Sequence, residues 1–235
     1  MAAKKENYLI LLRHGESFWN RENKFTGWVD IPLTDVGIMA SLVNAIELSK
    51  YSIDLAFCSN LFRSKEALAI VLSARKSASI LRHDQGRSQK WYNHFPRNHE
   101  IPIIVSPELN ERYYGNLQGL DKAKAAKTFG KEKVFRWRRG YHDQPPGGES
   151  LADTYRRVIP YFKNKILTEL KQGKNIIVSA HGNSLRTIIK YIDKIPDHAM
   201  PYLEFDTGSF VTYRYKNRKL SRMKYRHSFK RPLFW

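Results

Sequence analysis

The chain has 235 residues, of which 42% are hydrophobic, 13% aromatic and 27% charged; this excludes disordered, collagen-like and fibrous classes and supplies enough apolar material for a single domain over 1–235. Its one cysteine, Cys58, rules out an intramolecular disulfide and a thiolate metal cluster, and no apolar run nears the ~20 residues of a membrane span, so a cytoplasmic location and no membrane partner are expected. With 41 Lys and Arg against 22 Asp and Glu the formal charge is +19, which favours anionic partners, phosphorylated metabolites first among them.

Tyr8 to Leu12 is a short apolar run that stops at Arg13, His14 and Gly15, the pattern of a buried strand feeding a loop. Thr34 to Leu48 has helical spacing with Asp35 near its start, Asp54 to Cys58 predicts a second strand, and Leu61 to Ser73 predicts a helix after the turn-like Ser59 and Asn60. Arg75 to Ile101 lacks a sustained period and carries Gly86 and Pro96, so a basic, irregular surface insertion is expected over about 75–101. Ile103 to Val105 is a weaker strand candidate. Lys122 to Phe129 and Ser150 to Leu170 read as helices, the second kinked or split by Pro160, with Gln144 to Glu149 a loop between them. Asn175 to Ala180 repeats the first pattern, an apolar run ending at His181, Gly182 and Asn183, and Ser184 to Tyr191 has helical spacing. Phe210 to Tyr215 alternates enough to be an edge strand, and the residues from about 214 to 235 form a basic tail without an acid.

Strands apolar on both faces and alternating with helices predict an α/β fold, a three-layer αβα sandwich around a largely parallel sheet. Ligands of such sheets bind beyond the carboxyl ends of the strands. His14 and His181 both stand there, and if their strands are neighbours two imidazoles converge on one crevice, each beside a glycine that admits close backbone approach. Either histidine alone reads as an ordinary surface or core residue; the matched pair points to chemistry. The other histidines show no metal-ligand spacing, so no metal is expected. No nucleotide phosphate loop, dinucleotide fingerprint or nucleophilic serine elbow is present.

The stretches Leu11 to Asn20, Phe25 to Trp28, Leu109 to Leu120, Trp137 to Arg139 and Ser179 to Arg186 together resemble the histidine phosphatase superfamily and, within it, the cofactor-dependent phosphoglycerate mutases. The resemblance implies a phosphoglycerate-mutase-like fold and an isomerase of glycolysis and gluconeogenesis that interconverts 3-phosphoglycerate and 2-phosphoglycerate through a phosphohistidine at His14. It implies 2,3-bisphosphoglycerate as phosphoryl primer, small anionic metabolites as partners, and a homodimer. By the same resemblance Arg13, Arg63, His181, Asn20 and the Gly182 N–H surround the phosphoryl group, and Glu111 is general acid and base. Thr26, Gly27, Tyr114, Lys122, Arg138, Arg139 and Asn183 complete the substrate pocket. Neutral imidazole is a competent nucleophile near pH 7, and an arginine fork matches phosphate geometry. Apart from that pattern, Glu111, Tyr114, Lys122, Arg138 and Arg139 would read as solvated surface groups.

Three departures from the family pattern stand out: the short segment Gly140 to Gly148 where the mutases carry a longer cover, the insertion at 75–101, and Asp206 to Gly208 without the usual proline. The last two are expected to lie away from the chemistry. A looser cover admits water to a phosphohistidine, so the first alternative is a phosphomonoester phosphatase. The second is a nucleic-acid-binding protein on an enzyme scaffold, motivated by the +19 charge; since every catalytic position is filled and no nucleic-acid motif occurs, nucleic acid is not expected as a partner.

Overall fold

The computed structural model describes residues 6–83 and 100–226. Seven strands form one sheet in the order β3-β4-β2-β5-β1-β6-β7, with β1 at Asn7–Arg13, β2 at Leu55–Ser59, β3 at Ala78–His83, β4 at Glu100–Ser106, β5 at Ile176–Ala180, β6 at Phe210–Lys216 and β7 at Lys219–Arg226. Neighbours from β3 through β1 run parallel, while β6 is antiparallel to both β1 and β7. Side-chain alternation divides the core. Ile10, Leu12, Ala56, Cys58 and Ile177 face helices α2 (Asp35–Leu48) and α3 (Phe62–Ser73). Leu9, Leu11, Phe57 and Val178 face α6 (Leu151–Tyr161), α7 (Leu167–Lys171) and α8 (Gly182–Asp193). Every residue of β2 and β5 is buried, as strands covered on both faces must be.

Local chemistry sets the helix ends. The Thr34 hydroxyl accepts the Gly37 N–H at 3.2 Å, and Ser150 with Asp153 forms a reciprocal capping box at the start of α6. Asp121 caps α4 (Lys122–Phe129) through the Lys124 N–H at 2.7 Å. The backbone runs through Pro160 near the end of α6 and widens at once into a π turn, Phe162–Ile166, the expected split of the long helix. The turn α1 (Phe18–Arg21) and the helix α5 (Lys131–Arg139), which carries Trp137, Arg138 and Arg139, were not foreseen.

Two expectations are corrected. Phe210 to Tyr215 is an inner strand, flanked by β1 and β7, because the basic segment after it turns back through Asn217 and Arg218 to make β7, the true edge. Part of the segment expected to be irregular is β3, paired in register with β4 from Ala78 opposite Glu100 to His83 opposite Val105; positions 84–99 and 227–235 lie outside the described residues. Among the described residues no helix is long and apolar enough to cross a membrane.

Candidate active site

Register creates the site. Arg13 of β1 pairs with Ala180 of β5, so the residues that follow, His14 and His181, leave the sheet side by side. Their rings lie 4.9 Å apart, centroid to centroid, at 61°, and are 3% and 0% exposed. His14 Nδ1 is 2.6 Å from the Gly15 carbonyl, which can only accept, so the proton sits on Nδ1 and the lone pair on Nε2. On the other ring, Ser59 Oγ accepts the Leu61 N–H at 3.2 Å and lies 2.7 Å from His181 Nε2. The other ring nitrogen, His181 Nδ1, is buried at the start of α8, where His181 is the N-cap residue. Burial, with Arg63 and Arg13 nearby, holds both histidines well below their usual pKa of 6.5, so both rings are neutral at pH 7.

That depression makes the fold acid-sensitive in a definite window. Below pH 6.5 the unfolded chain takes up two protons that the folded chain refuses, so this contribution is complete above that pH and is lost as pH falls, at up to about 1.4 kcal/mol per pH unit for each ring. Denaturant unfolding at pH 7.5, 6.5 and 5.5 should show the decline, and the His14→Asn, His181→Asn double variant should flatten it. Equal slopes in the two proteins would contradict the assignment.

The loop around His14 is braced by backbone. A Cβ on Gly15 would stand 2.4 Å from the Gly37 carbonyl, so the loop rests directly on the first turn of α2. The Gly208 N–H donates to the His14 carbonyl at 2.9 Å and the Arg13 N–H to the Ser209 carbonyl at 2.9 Å. The segment Asp206 to Gly208, expected to lie away from the chemistry, therefore supports the backbone of His14.

Guanidinium groups converge from several elements. Arg63 of α3 is 1% exposed and donates to the Val29 and Gly27 carbonyls, each at 2.9 Å; burial lowers its pKa to about 10, and it remains a cation. Gly27 has φ +53°, and a Cβ there would fall 2.1 Å from Gln118 Oε1. Arg13 donates to the Phe205 carbonyl. Asn20 Oδ1 accepts from the Ser17 N–H and hydroxyl at 3.1 and 2.9 Å, which frees its amide nitrogen. Glu111, 8% exposed, accepts the Arg112 and Asn183 N–H groups on Oε1 at 2.7 and 3.2 Å. Arg139 is tied to Glu204 at 2.9 Å, and burial lowers the Lys122 pKa, helped by Arg138 and Arg13.

The structure gathers these residues around one cavity of about 160 Å³. Arg13, His14, Asn20, Thr26, Gly27, Arg63, Glu111, Tyr114, Lys122, Arg138, Arg139, Gly182 and Asn183 all border it; His181 alone of the expected set stands behind, against His14. Lys24, Phe25, Arg186 and Phe205 border it too and were not foreseen. Arg186 is the last residue of a motif already recognised, so the signal was present and its inward direction was not. Among the described residues seven cations and one carboxylate line the cavity. A larger groove, about 1270 Å³, lies at the opposite end of the sheet, among residues such as Asn7, Lys194 and Tyr215, and no histidine or carboxylate among the described residues lines it. Among the described residues no group of three or more His, Cys, Asp or Glu side chains could hold a metal ion.

Comparison with known proteins agrees with this geometry. The profile of the Histidine phosphatase superfamily (branch 1) matches residues 9–86 and 83–226. A 2,3-bisphosphoglycerate-dependent phosphoglycerate mutase of Methanococcus vannielii is 44% identical over 222 residues, covering 92% of this chain and 94% of that protein. One of Pseudoalteromonas atlantica is 46% identical over 207 residues, covering 86% and 90%. Among solved structures, the alpha-ribazole phosphatase from Shigella flexneri superposes with a TM-score of 0.72 at 24% identity, covering 92% of this chain and 94% of that one, a likeness of fold. The chain therefore belongs to the histidine phosphatase superfamily, branch 1, and within it to the family of the 2,3-bisphosphoglycerate-dependent phosphoglycerate mutases.

Proposed function

We propose that the chain interconverts 3-phosphoglycerate and 2-phosphoglycerate by way of a phosphoryl group carried on His14. One observation supports this reading above the rest: polar atoms buried around the cavity have no partner within the protein. On residues that border it they are Arg13 Nε, Thr26 Oγ1 and Arg186 Nε, all able to donate, and they share the cavity with the neutral imidazole of His14. Buried donors left unmade are costly, and a multiply charged anion satisfies them together.

These residues fit a ligand bearing two phosphates and a carboxylate, because seven cations face it against the single carboxylate of Glu111. When bound, 2,3-bisphosphoglycerate supplies the phosphoryl group that first loads His14. The Nε2 lone pair forms the N–P bond as the ester O–P bond breaks, and Glu111 gives its proton to the departing oxygen. In the return direction Glu111 takes the proton of the attacking substrate hydroxyl and the N–P bond breaks. Arg13 and Arg63 are fixed donors for charge spread over the transferring oxygens, aided by Gly182 at the start of α8 and by His181 behind His14. Lys122, Arg138 and Arg139 hold the far end of the substrate.

The short cover at Gly140 to Gly148 favours phosphatase activity as the second reading. It is stitched down by the Asn116 N–H to the Pro146 carbonyl at 3.0 Å and the Glu149 N–H to the Tyr113 carbonyl at 2.7 Å. Isomerisation should be measured with and without added 2,3-bisphosphoglycerate while free phosphate is counted. The mutase reading expects isomerisation stimulated by the primer with little phosphate released; release without isomerisation overturns it.

The protein works in the cytoplasm on small phosphorylated metabolites and pairs with a second copy of itself. The surface offered for pairing is α2, whose outer face carries Val36, Met39, Leu42, Val43 and Ile46, with Ile46 73% exposed. Light scattering should give the mass of a dimer for the wild type and of a monomer for the Met39→Glu, Ile46→Glu variant; an unchanged mass would contradict this.

A further inference from the structure

Besides bordering the cavity as one of its cations, Arg186 makes two hydrogen bonds that the chemistry described so far does not use. It lies in α8, 4% exposed, three residues after Asn183. Nη1 donates to Asn183 Oδ1 at 2.9 Å, Nη2 donates to the Met200 carbonyl, and Nε is buried without a partner. Burial, with Arg139 and Arg112 nearby, lowers its pKa to about 9. Its bonded oxygens are an amide and a backbone carbonyl, so its place is not explained by an ion pair.

What it does hold is the Asn183 side chain. With Oδ1 engaged by Arg186, the amide can face only one way, and Nδ2 donates to the Tyr114 hydroxyl at 3.3 Å. The Asn183 N–H donates to Glu111 Oε1 at 3.2 Å, and the Arg112 N–H to the same oxygen at 2.7 Å. Arg112 Nη2 closes the circuit on the Tyr114 hydroxyl at 3.0 Å. Glu111, Asn183, Tyr114 and Arg112 thus form a ring of hydrogen bonds, and Arg186 clamps one member of it to the segment around Met200.

We propose that Arg186 is a positioning residue: by locking the Asn183 amide it holds the Glu111 carboxylate and the Tyr114 hydroxyl in one fixed arrangement toward the cavity. The proposal deepens the mutase reading and rests on it. A guanidinium suits the task because its planar fork spans the Asn183 and Met200 oxygens from a single helix position, which a lysine ammonium does not reproduce. Groups bonded in one network should also lose their effects together and not additively.

The test compares Arg186→Met, Arg186→Lys, Asn183→Ala and the Arg186→Met, Asn183→Ala double variant, with unfolding midpoints as a check on folding. Arg186→Met should lower kcat about 10- to 100-fold, more than it changes KM, Arg186→Lys should recover part of the loss, and the double variant should be scarcely worse than Asn183→Ala. Hydrogen exchange supplies a reading independent of turnover: the Arg112 and Asn183 amides should exchange faster in Arg186→Met, or in Arg186→Lys if the Met variant does not fold. Wild-type kcat in Arg186→Met, additive losses in the double variant, or unchanged exchange would each overturn the proposal. A wild type that fails to isomerise phosphoglycerate would overturn the activity reading instead, and the exchange data would still decide the role of Arg186.

Discussion

Replacing His14 by Ala is expected to lower isomerisation by about 10⁴-fold or more and to abolish any release of free phosphate in parallel, since both reactions begin with the same N–P bond. The size follows from the site. His181, the other imidazole of the site among the described residues, is not a substitute, because its Nε2 is engaged with the Ser59 hydroxyl at 2.7 Å and the ring stands behind His14, off the cavity lining. Coupled assays of both products, on a variant whose unfolding midpoint shows it folded, measure this directly. A variant retaining a hundredth of wild-type turnover would place the nucleophile elsewhere.

Glu111→Gln should cost about 10²- to 10⁴-fold in kcat with KM nearly unchanged. The amide oxygen of Gln can still accept the Arg112 and Asn183 N–H groups that Glu111 Oε1 accepts at 2.7 and 3.2 Å, so the ring of hydrogen bonds survives while proton transfer is lost. The split between kcat and KM separates this role from that of a substrate clamp, and steady-state kinetics over a wide substrate range reads it. A KM that rises while kcat stays would reassign Glu111 to binding.

The meeting of His14 and His181 was legible in the sequence because it depends on strand ends. Apolar runs that stop at a histidine and glycine told where β1 and β5 end, and parallel pairing of Arg13 with Ala180 did the rest. Tertiary pairing hid what was missed. β3 carries no strong period and becomes a strand through its register with β4, and β6 looked like an edge because the strand that covers it is rich in basic residues. Asp206 to Gly208 gave no local sign that its backbone would reach the His14 carbonyl. Arg186 is a charged residue on an otherwise buried helix face, and only the position of the Met200 carbonyl shows why it turns inward.

The account stands on His14 as the phosphoryl carrier, and mass spectrometry after brief incubation with 2,3-bisphosphoglycerate tests it most directly. The prediction is one acid-labile phosphate on the wild-type protein, mapped to the peptide holding His14, retained in Glu111→Gln at a slower loading rate and absent in His14→Ala. Phosphate on another residue, or none on a wild-type protein that isomerises its substrate, would contradict it.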